Sequence, residues 1–336
     1  MDDRLLFAIG PPRSGSTLLA RMIGAHSQVF APAEPHLLTP LAHLGYYERV
    51  ESAPYDPVIS QAAIRELVGS LPGGERDYLA ALRACTDSLY GRLLEGSGAR
   101  LLLDKTPAYA LALDFVARLY PKARYLVLTR NPFAVWSSYV QSFFDGDHEV
   151  AHRFNPILER YVPAIARFLR EAPVAIAHVR YEELVADPEQ RMRELCPFLG
   201  LDFEPGMVDY GEAAPNRAAA RGLGDPVTVA REKRPTTRSL ARWAEEWAGQ
   251  PGKVAQAREI LARLDDADLA AWGFGRAELE AELAAVPATA APRRRARATR
   301  YALERRLLVR LRRNIHHNAF GRLVRQLRTA CDVLLR

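Results

Sequence analysis

The chain opens with an unbroken apolar run, Leu5-Leu6-Phe7-Ala8-Ile9, that stops at Gly10. Such a run, without polar alternation, predicts a strand buried on both faces, as in a parallel sheet. A polar loop follows, and then Leu18, Leu19, Met22 and Ile23 recur at helical spacing. Residues 124–130 (RYLVLTR) read as a second buried strand, after which Asn131 caps and Pro132 opens a helix continuing through Tyr139. Residues 174–180 (VAIAHVR) predict another strand, followed by helices around 182–186 and 188–199. Leu101-Leu102-Leu103 reads as a strand running into a helix started by Pro107, and Val29-Phe30 as a short extended run. Strands alternating with helices predict an α/β fold with a central parallel sheet.

The segments between these elements set the organisation. Residues from about 40 to 100 read as a mostly helical insert, broken at Pro54, Pro57 and Pro72-Gly73-Gly74. Between about 206 and 238 the composition turns to Gly, Pro, Arg and Thr, which predicts long loops and a late lid. Helical periodicity returns at 239–247 and 253–269, and an Ala/Pro stretch over 284–292 reads as a linker. Beyond it Leu303, Leu307, Leu311, Ile315, Phe320, Leu323, Leu327 and Cys331 recur at helical spacing with Arg between them. The expectation is one domain over 1–285, then a linker and a basic amphipathic helical tail over 286–336. No internal repeat is evident.

Composition supports an ordinary globular body, with 49% hydrophobic and 26% charged residues in 336. The net charge of +6 is unevenly placed. Residues 293–336 carry 14 Arg against Glu304 and Asp332, a net of +12, so the rest of the chain sums to −6. A nucleic-acid function for the body therefore loses its electrostatic support. Only four of 46 basic residues are Lys, a bias that coding preference explains most simply. Cys85, Cys196 and Cys331 are too few and too far apart for a disulfide framework or a zinc site. The acidic start and the lack of a long apolar stretch predict a cytoplasmic protein without a signal or membrane span.

The chemistry concentrates at strand ends. Gly10-Pro11-Pro12-Arg13-Ser14-Gly15-Ser16-Thr17, between a strand and a helix, has the form of a P-loop, in which backbone N–H groups and the positive end of the helix cradle a phosphate. A triphosphate-binding loop would read G-x-x-x-x-G-K-[ST]. Here Ser16 takes the Lys position and the loop's cation is Arg13. At the end of the second long strand Arg130 can present a fork of donors to phosphate oxygens, with Ser138 on the following helix.

The run PRSGSTLL resembles the 5′-phosphosulfate loop of sulfotransferases that use 3′-phosphoadenosine-5′-phosphosulfate (PAPS), in particular the bacterial and tyrosylprotein branch. The Arg130/Ser138 pair resembles that family's 3′-phosphate signature. Arg180-Tyr181-Glu182-Glu183-Leu184, Asp187-Pro188-Glu189 and the segment LCPFLGL ending at Leu201 resemble its RYEDL…DPE…LCxFLGL pattern. Gly224-Asp225-Pro226 and Trp243 are similar to a later family pattern, so the likeness covers about 5–247.

This resemblance implies a three-layer P-loop-type fold and transfer of a sulfuryl group from PAPS by in-line displacement, with no metal required. Arg13, Ser14, Gly15, Ser16 and Thr17 would hold the 5′-phosphosulfate, Arg130 and Ser138 the 3′-phosphate, and Tyr181 would lie near the adenine or that phosphate. Glu34, in Ala33-Glu34-Pro35-His36, matches the family's general base, with His36 as the second candidate. Lys105 and Arg13 would stabilise the migrating group, and Lys233 or Arg234 would close from the late loop. The acceptor expected is a hydroxyl on a small metabolite, because an Arg- and Ala-rich chain points to bacterial secondary metabolism. Two other readings are a P-loop kinase or other NTP-dependent transferase, and a non-catalytic nucleotide-binding scaffold that recruits partners through its tail. For the tail, apolar spacing favours docking on the body or on a second copy (a homo-oligomer), and contact with an anionic membrane surface comes next. Nucleic acid is not an expected partner.

Overall fold

The computed structural model describes residues 1–47, 56–211 and 232–289, together with positions 323 and 327. Most of the late lid, including Gly224-Asp225-Pro226, and the basic tail other than 323 and 327 lie outside the described residues.

Five parallel strands form one sheet: β1 (Leu5–Ile9), β2 (Val29–Phe30), β3 (Leu101–Asp104), β4 (Arg124–Thr129) and β5 (Ala175–Arg180). Their order is β2-β3-β1-β4-β5. Leu6 of β1 is in register with Leu103 on one side and Arg124 on the other, and Leu126 of β4 pairs with Ala177 of β5. The unbroken apolar run of β1 is explained by its central place. Leu5, Phe7 and Ile9 enter one core, Leu6 and Ala8 the other, and no residue of the strand is more than 1% exposed.

The helices are α1 (Ser16–Gly24), α2 (Leu38–Ala42), α3 (Pro57–Ser70), α4 (Glu75–Ser97), α5 (Leu113–Leu119), α6 (Pro132–Phe144), α7 (His148–Phe154) and α8 (Ile157–Glu171). After β5 come α9 (Tyr181–Ala186), α10 (Pro188–Leu199), α11 (Arg242–Trp247), α12 (Pro251–Arg263), α13 (Asp266–Trp272) and α14 (Arg276–Ala284). The core containing Leu6 and Ala8 is completed by α1, α9 and α10. The opposite core takes buried side chains from most of the other helices. The three-layer α/β architecture expected from the sequence is the one observed.

Local sequence accounts for the element ends. Asn131 Oδ1 accepts from the N–H groups of Phe133 and Ala134 at 3.0 and 3.1 Å, and Pro132 opens α6, whose first-turn N–H groups would otherwise lack partners. Three expectations change in detail. The segment after β3 is a 3-10 helix, Pro107–Leu111. The helix expected from 239 starts only at Arg242, after a 3-10 turn Thr237–Ser239. The periodic stretch 253–269 is two helices, because Leu264 is extended and the Asp265 carboxylate caps α13 by accepting from Ala267 N. The apolar period simply continues across that corner. Among the described residues no helix is long and apolar enough to cross a membrane.

Two devices position the residues that matter later. The first is an aromatic knot: Phe133 and Trp136 of α6 pack on Trp243 and Trp247 of α11, with ring centroids 4.9–5.8 Å apart. It fastens the chain's later helices to the helix that carries Ser138. The second is the turn from β1 into α1. Arg13 and Gly15 both take positive φ, 74° and 100°. At Gly15 a β-carbon would lie 2.4 Å from the Tyr181 ring, so glycine serves both the turn and the close approach of α9.

Trp247→Ala is expected to cost about 3–5 kcal/mol of stability in urea unfolding, as for other fully buried aromatics. Gly15→Ala should destabilise by about 1–3 kcal/mol through left-handed strain alone, and further because the Tyr181 ring must move. Part of that loss should return in a Tyr181→Ala background. An identical loss in both backgrounds would show that the ring is not the obstacle.

Candidate functional site

A parallel sheet presents the C-terminal ends of its strands along one edge, and here each strand delivers a polar group to that edge. The loop from Gly10 to Thr17 follows β1, Glu34 and His36 follow β2, and Lys105 follows β3. Arg130 follows β4, and Tyr181 follows β5.

On one side the loop meets Arg130. Only 8% exposed, Arg130 donates through Nη1 to the carbonyl of Arg13 at 3.2 Å and through Nη2 to the carbonyl of Ser239 at 3.1 Å. Its guanidinium carbon lies 4.3 Å from the centroid of the Tyr181 ring, over which it stacks. Burial pulls the Arg130 pKa below the usual value, and the neighbouring charges of Arg13 and Arg242 push the same way, with Tyr181 and Glu182 opposing. Arg13 Nε donates to Ser138 Oγ at 3.0 Å. The structure thus brings together Arg13, Ser138, Arg130 and Tyr181, residues far apart in sequence. The side chain of Ser14 is fully buried, and its Oγ and Arg130 Nε have no hydrogen-bond partner. Ser16 is buried in the first turn of α1. Mutually repelling cations, unsatisfied buried polar atoms and a helix N-terminus at one place fit an anionic ligand.

On the other side Lys105 joins the loop to Glu34. Lys105 Nζ donates to Glu34 Oε1 and, at 3.3 Å, to Thr17 Oγ1. The pair is largely shielded, with 6% and 12% of the two side chains exposed. His36 Nε2 lies 3.6 Å from Glu34 Oε2, and its side chain is 42% exposed. His36 has φ of 52°, in the left-handed region, and its N–H donates to Thr106 Oγ1 at 3.4 Å. The eleven residues from Arg13 to Tyr181 named from the sequence therefore lie along this edge.

Several groups at this edge escaped sequence reasoning. Ser239 bonds both Arg130 and, through Oγ, the hydroxyl of Tyr181 at 2.7 Å. The sequence marked it only as the start of the helical stretch 239–247. Lys233 and Arg234, by contrast, were expected to close from the late loop; both are exposed, and Arg234 Nε pairs with Asp209 at 2.8 Å. Asp104, fully buried beside Lys105, accepts from Tyr90 at 2.6 Å and Tyr109 at 3.0 Å on Oδ2, and from Thr106 at 2.9 Å on Oδ1. Burial pushes its carboxyl pKa up, and the three hydroxyls partly offset this. The Asn131 N–H donates to Glu182 and its side-chain amide to Glu282, tying the start of α6 to α9 and α14.

Comparison with known proteins finds relatives of this chain. The nodulation protein NoeE of Sinorhizobium fredii is 29% identical over 263 residues, which cover 72% of this chain and 60% of that protein. Protein-tyrosine sulfotransferase 1 of Danio rerio is 25% identical over 223 residues, 63% of this chain and 57% of that protein. The chain thus spans less than two thirds of either relative. Among solved structures, the sulfotransferase domain from the curacin biosynthetic pathway superposes with a TM-score of 0.50 at 27% identity, covering 71% of this chain and 89% of that domain. Residues 6–205 match the model of the sulfotransferase family, and with the strand-edge site this places the chain in that family.

Proposed function

We propose that the protein transfers a sulfuryl group from PAPS to an acceptor hydroxyl, with Glu34 as the general base. The observation that carries this reading is the double engagement of Lys105, whose ammonium touches both Glu34 and Thr17 of the phosphate loop. A carboxylate able to take a proton is thereby one side chain away from the anion cradle.

The donor supplies an activated sulfuryl group on a phosphate oxygen. Arg13, the loop N–H groups and Thr17 bind its 5′ end, and Arg130, with Ser138 and Tyr181, binds the 3′-phosphate and adenine. Glu34 accepts the proton of the acceptor hydroxyl as the new oxygen–sulfur bond forms. The bond from sulfur to the 5′-phosphate oxygen breaks, and its electron pair stays on that oxygen, giving 3′-phosphoadenosine-5′-phosphate (PAP). Lys105 and Arg13 stabilise the charge that builds there. Ser16, short and buried, occupies the place of the lysine that a triphosphate-binding loop uses, so a nucleoside triphosphate is the poorer fit.

A hydroxyl on a small metabolite is the proposed acceptor class. The likeness to a domain from a biosynthetic pathway supports it, and peptide tyrosine is the competing class. Product mass spectrometry with alcohols, phenols, sugars and tyrosyl peptides decides between them.

Glu34→Gln should lower kcat by about 10²–10⁴ while leaving PAP affinity in calorimetry unchanged. Full activity in that variant overturns the assignment of the base. Arg130→Ala should weaken PAP binding, and wild-type preference for ATP over PAP would sink the sulfuryl-transfer reading.

A further inference from the structure

The buried carboxylate of Asp104 has neutral hydroxyls, and no side-chain cation, as its hydrogen-bond partners. A charge removed from water at the end of a strand costs several kcal/mol unless it is well satisfied. An apolar residue would fill that space at less cost, so the arrangement calls for a reason beyond packing.

The reason lies in the direction of the hydroxyl protons. An ionised carboxylate only accepts hydrogen bonds. Thr106 and Tyr109 must therefore both turn their protons inward to Asp104, which leaves their oxygen lone pairs facing outward. There each oxygen accepts a backbone N–H from the segment carrying Glu34: Thr106 Oγ1 from His36 at 3.4 Å, and Tyr109 Oη from Leu38 at 3.1 Å. Between these two anchors the chain turns at the left-handed residue His36. A strained conformation of that kind costs about 1–3 kcal/mol and persists only where its surroundings hold it.

We propose that Asp104 is a positioning residue for the transfer: it polarises Thr106 and Tyr109 so that they clamp residues 36–38 and keep the Glu34 carboxylate against Lys105. This rests on the reading of Glu34 as the base. Asp104 touches neither the phosphate loop nor Arg130 through any of these bonds, so it acts on the proton-transfer half of the site and leaves the donor half alone. Tyr90, the third donor, comes from α4 in the insert, so the insert contributes to placing the base.

The test is Asp104→Asn, which keeps the shape but sets an N–H against a hydroxyl and forces one of the clamps to turn. A displacement of this kind should lower kcat about 10- to 100-fold, with acceptor KM and PAP affinity within about threefold of wild type. Amide hydrogen exchange at His36 and Leu38 should quicken tenfold or more, while β1 and β4 keep their protection. Thr106→Val should reproduce a milder form of the defect and Thr106→Ser should restore it, which keeps the proposal testable if Asp104→Asn does not fold. Wild-type kcat with unchanged exchange at residues 36 and 38 would overturn the proposal. So would loss of PAP affinity in step with kcat and faster exchange throughout the sheet, the signs of a merely structural role. Faster exchange at 36 and 38 with kcat unaltered would uphold the clamp and overturn instead the assignment of Glu34 as base.

Discussion

Burial of the Arg130 guanidinium is the constraint around which this strand edge is arranged. Taking such a charge out of water is costly, and the chain offsets it with two peptide carbonyls and the face of Tyr181. Those partners belong to the phosphate loop, the late segment and α9, and Trp272 of α13 donates to the carbonyl of Arg130 itself at 2.8 Å. Satisfying one cation therefore ties three distant segments to the end of β4, and the Trp272 bond adds a fourth. The choice of partner also matters. A carboxylate hydrogen-bonded to the fork would cancel the charge and leave a structural pair. Peptide carbonyls satisfy the donors while leaving positive potential, and Nε stays unused. The same residue can thus organise the loop and still attract an anion.

This arrangement explains which parts were legible in the sequence. The strands were, because β1, β3 and β4 are buried on both faces and appear as apolar runs that stop at turn residues. The phosphate loop, Lys105 and Arg130 were legible for the same reason, since each lies just beyond such a run, whereas Glu34, His36, Ser138 and Tyr181 were named through the family resemblance. Asn131-Pro132 could be read as a helix start because capping is a local interaction. The corner at Leu264-Asp265 could not be read in the same way. The apolar period persists through it, and a single capping aspartate is a weak signal within an acidic stretch. Ser239 and the Tyr90–Asp104 bond were invisible for a different reason. Their roles depend on tertiary contacts, one with a strand end 109 residues away and one with a helix of the insert. Neither contact leaves a periodic or compositional trace.

The two halves of the site are built differently. The donor side stands on β1, β4 and β5, the middle and one edge of the sheet, and its geometry is set by strand register. The side carrying the proposed base, Glu34, stands on the two-residue strand β2 at the other edge, continued by an irregular segment that needs outside anchors. Variation in the insert can therefore reach the segment carrying Glu34, through Tyr90 and Asp104, without disturbing the loop and Arg130.

Lys105 is the side chain that joins the two halves, and its identity follows from the space it occupies. It must reach Thr17 and Glu34 at once from a position 5% exposed. A compact ammonium with three rotatable donors can do so, whereas a planar guanidinium fixes its donors in one fork. Lys253, a second of the chain's four lysines, is equally buried and lies 3.6 Å from Glu246. Glu246 in turn accepts from Ser137 and Gln141 of α6, the helix that carries Ser138. In a chain that otherwise uses arginine, two of the four lysines stand where a small charge is enclosed with a carboxylate. One such pair braces α6 and the other contains Glu34, the proposed base. Arginine at 105 would have to rotate its fork away from Thr17 or Glu34, so packing as well as chemistry favours lysine there.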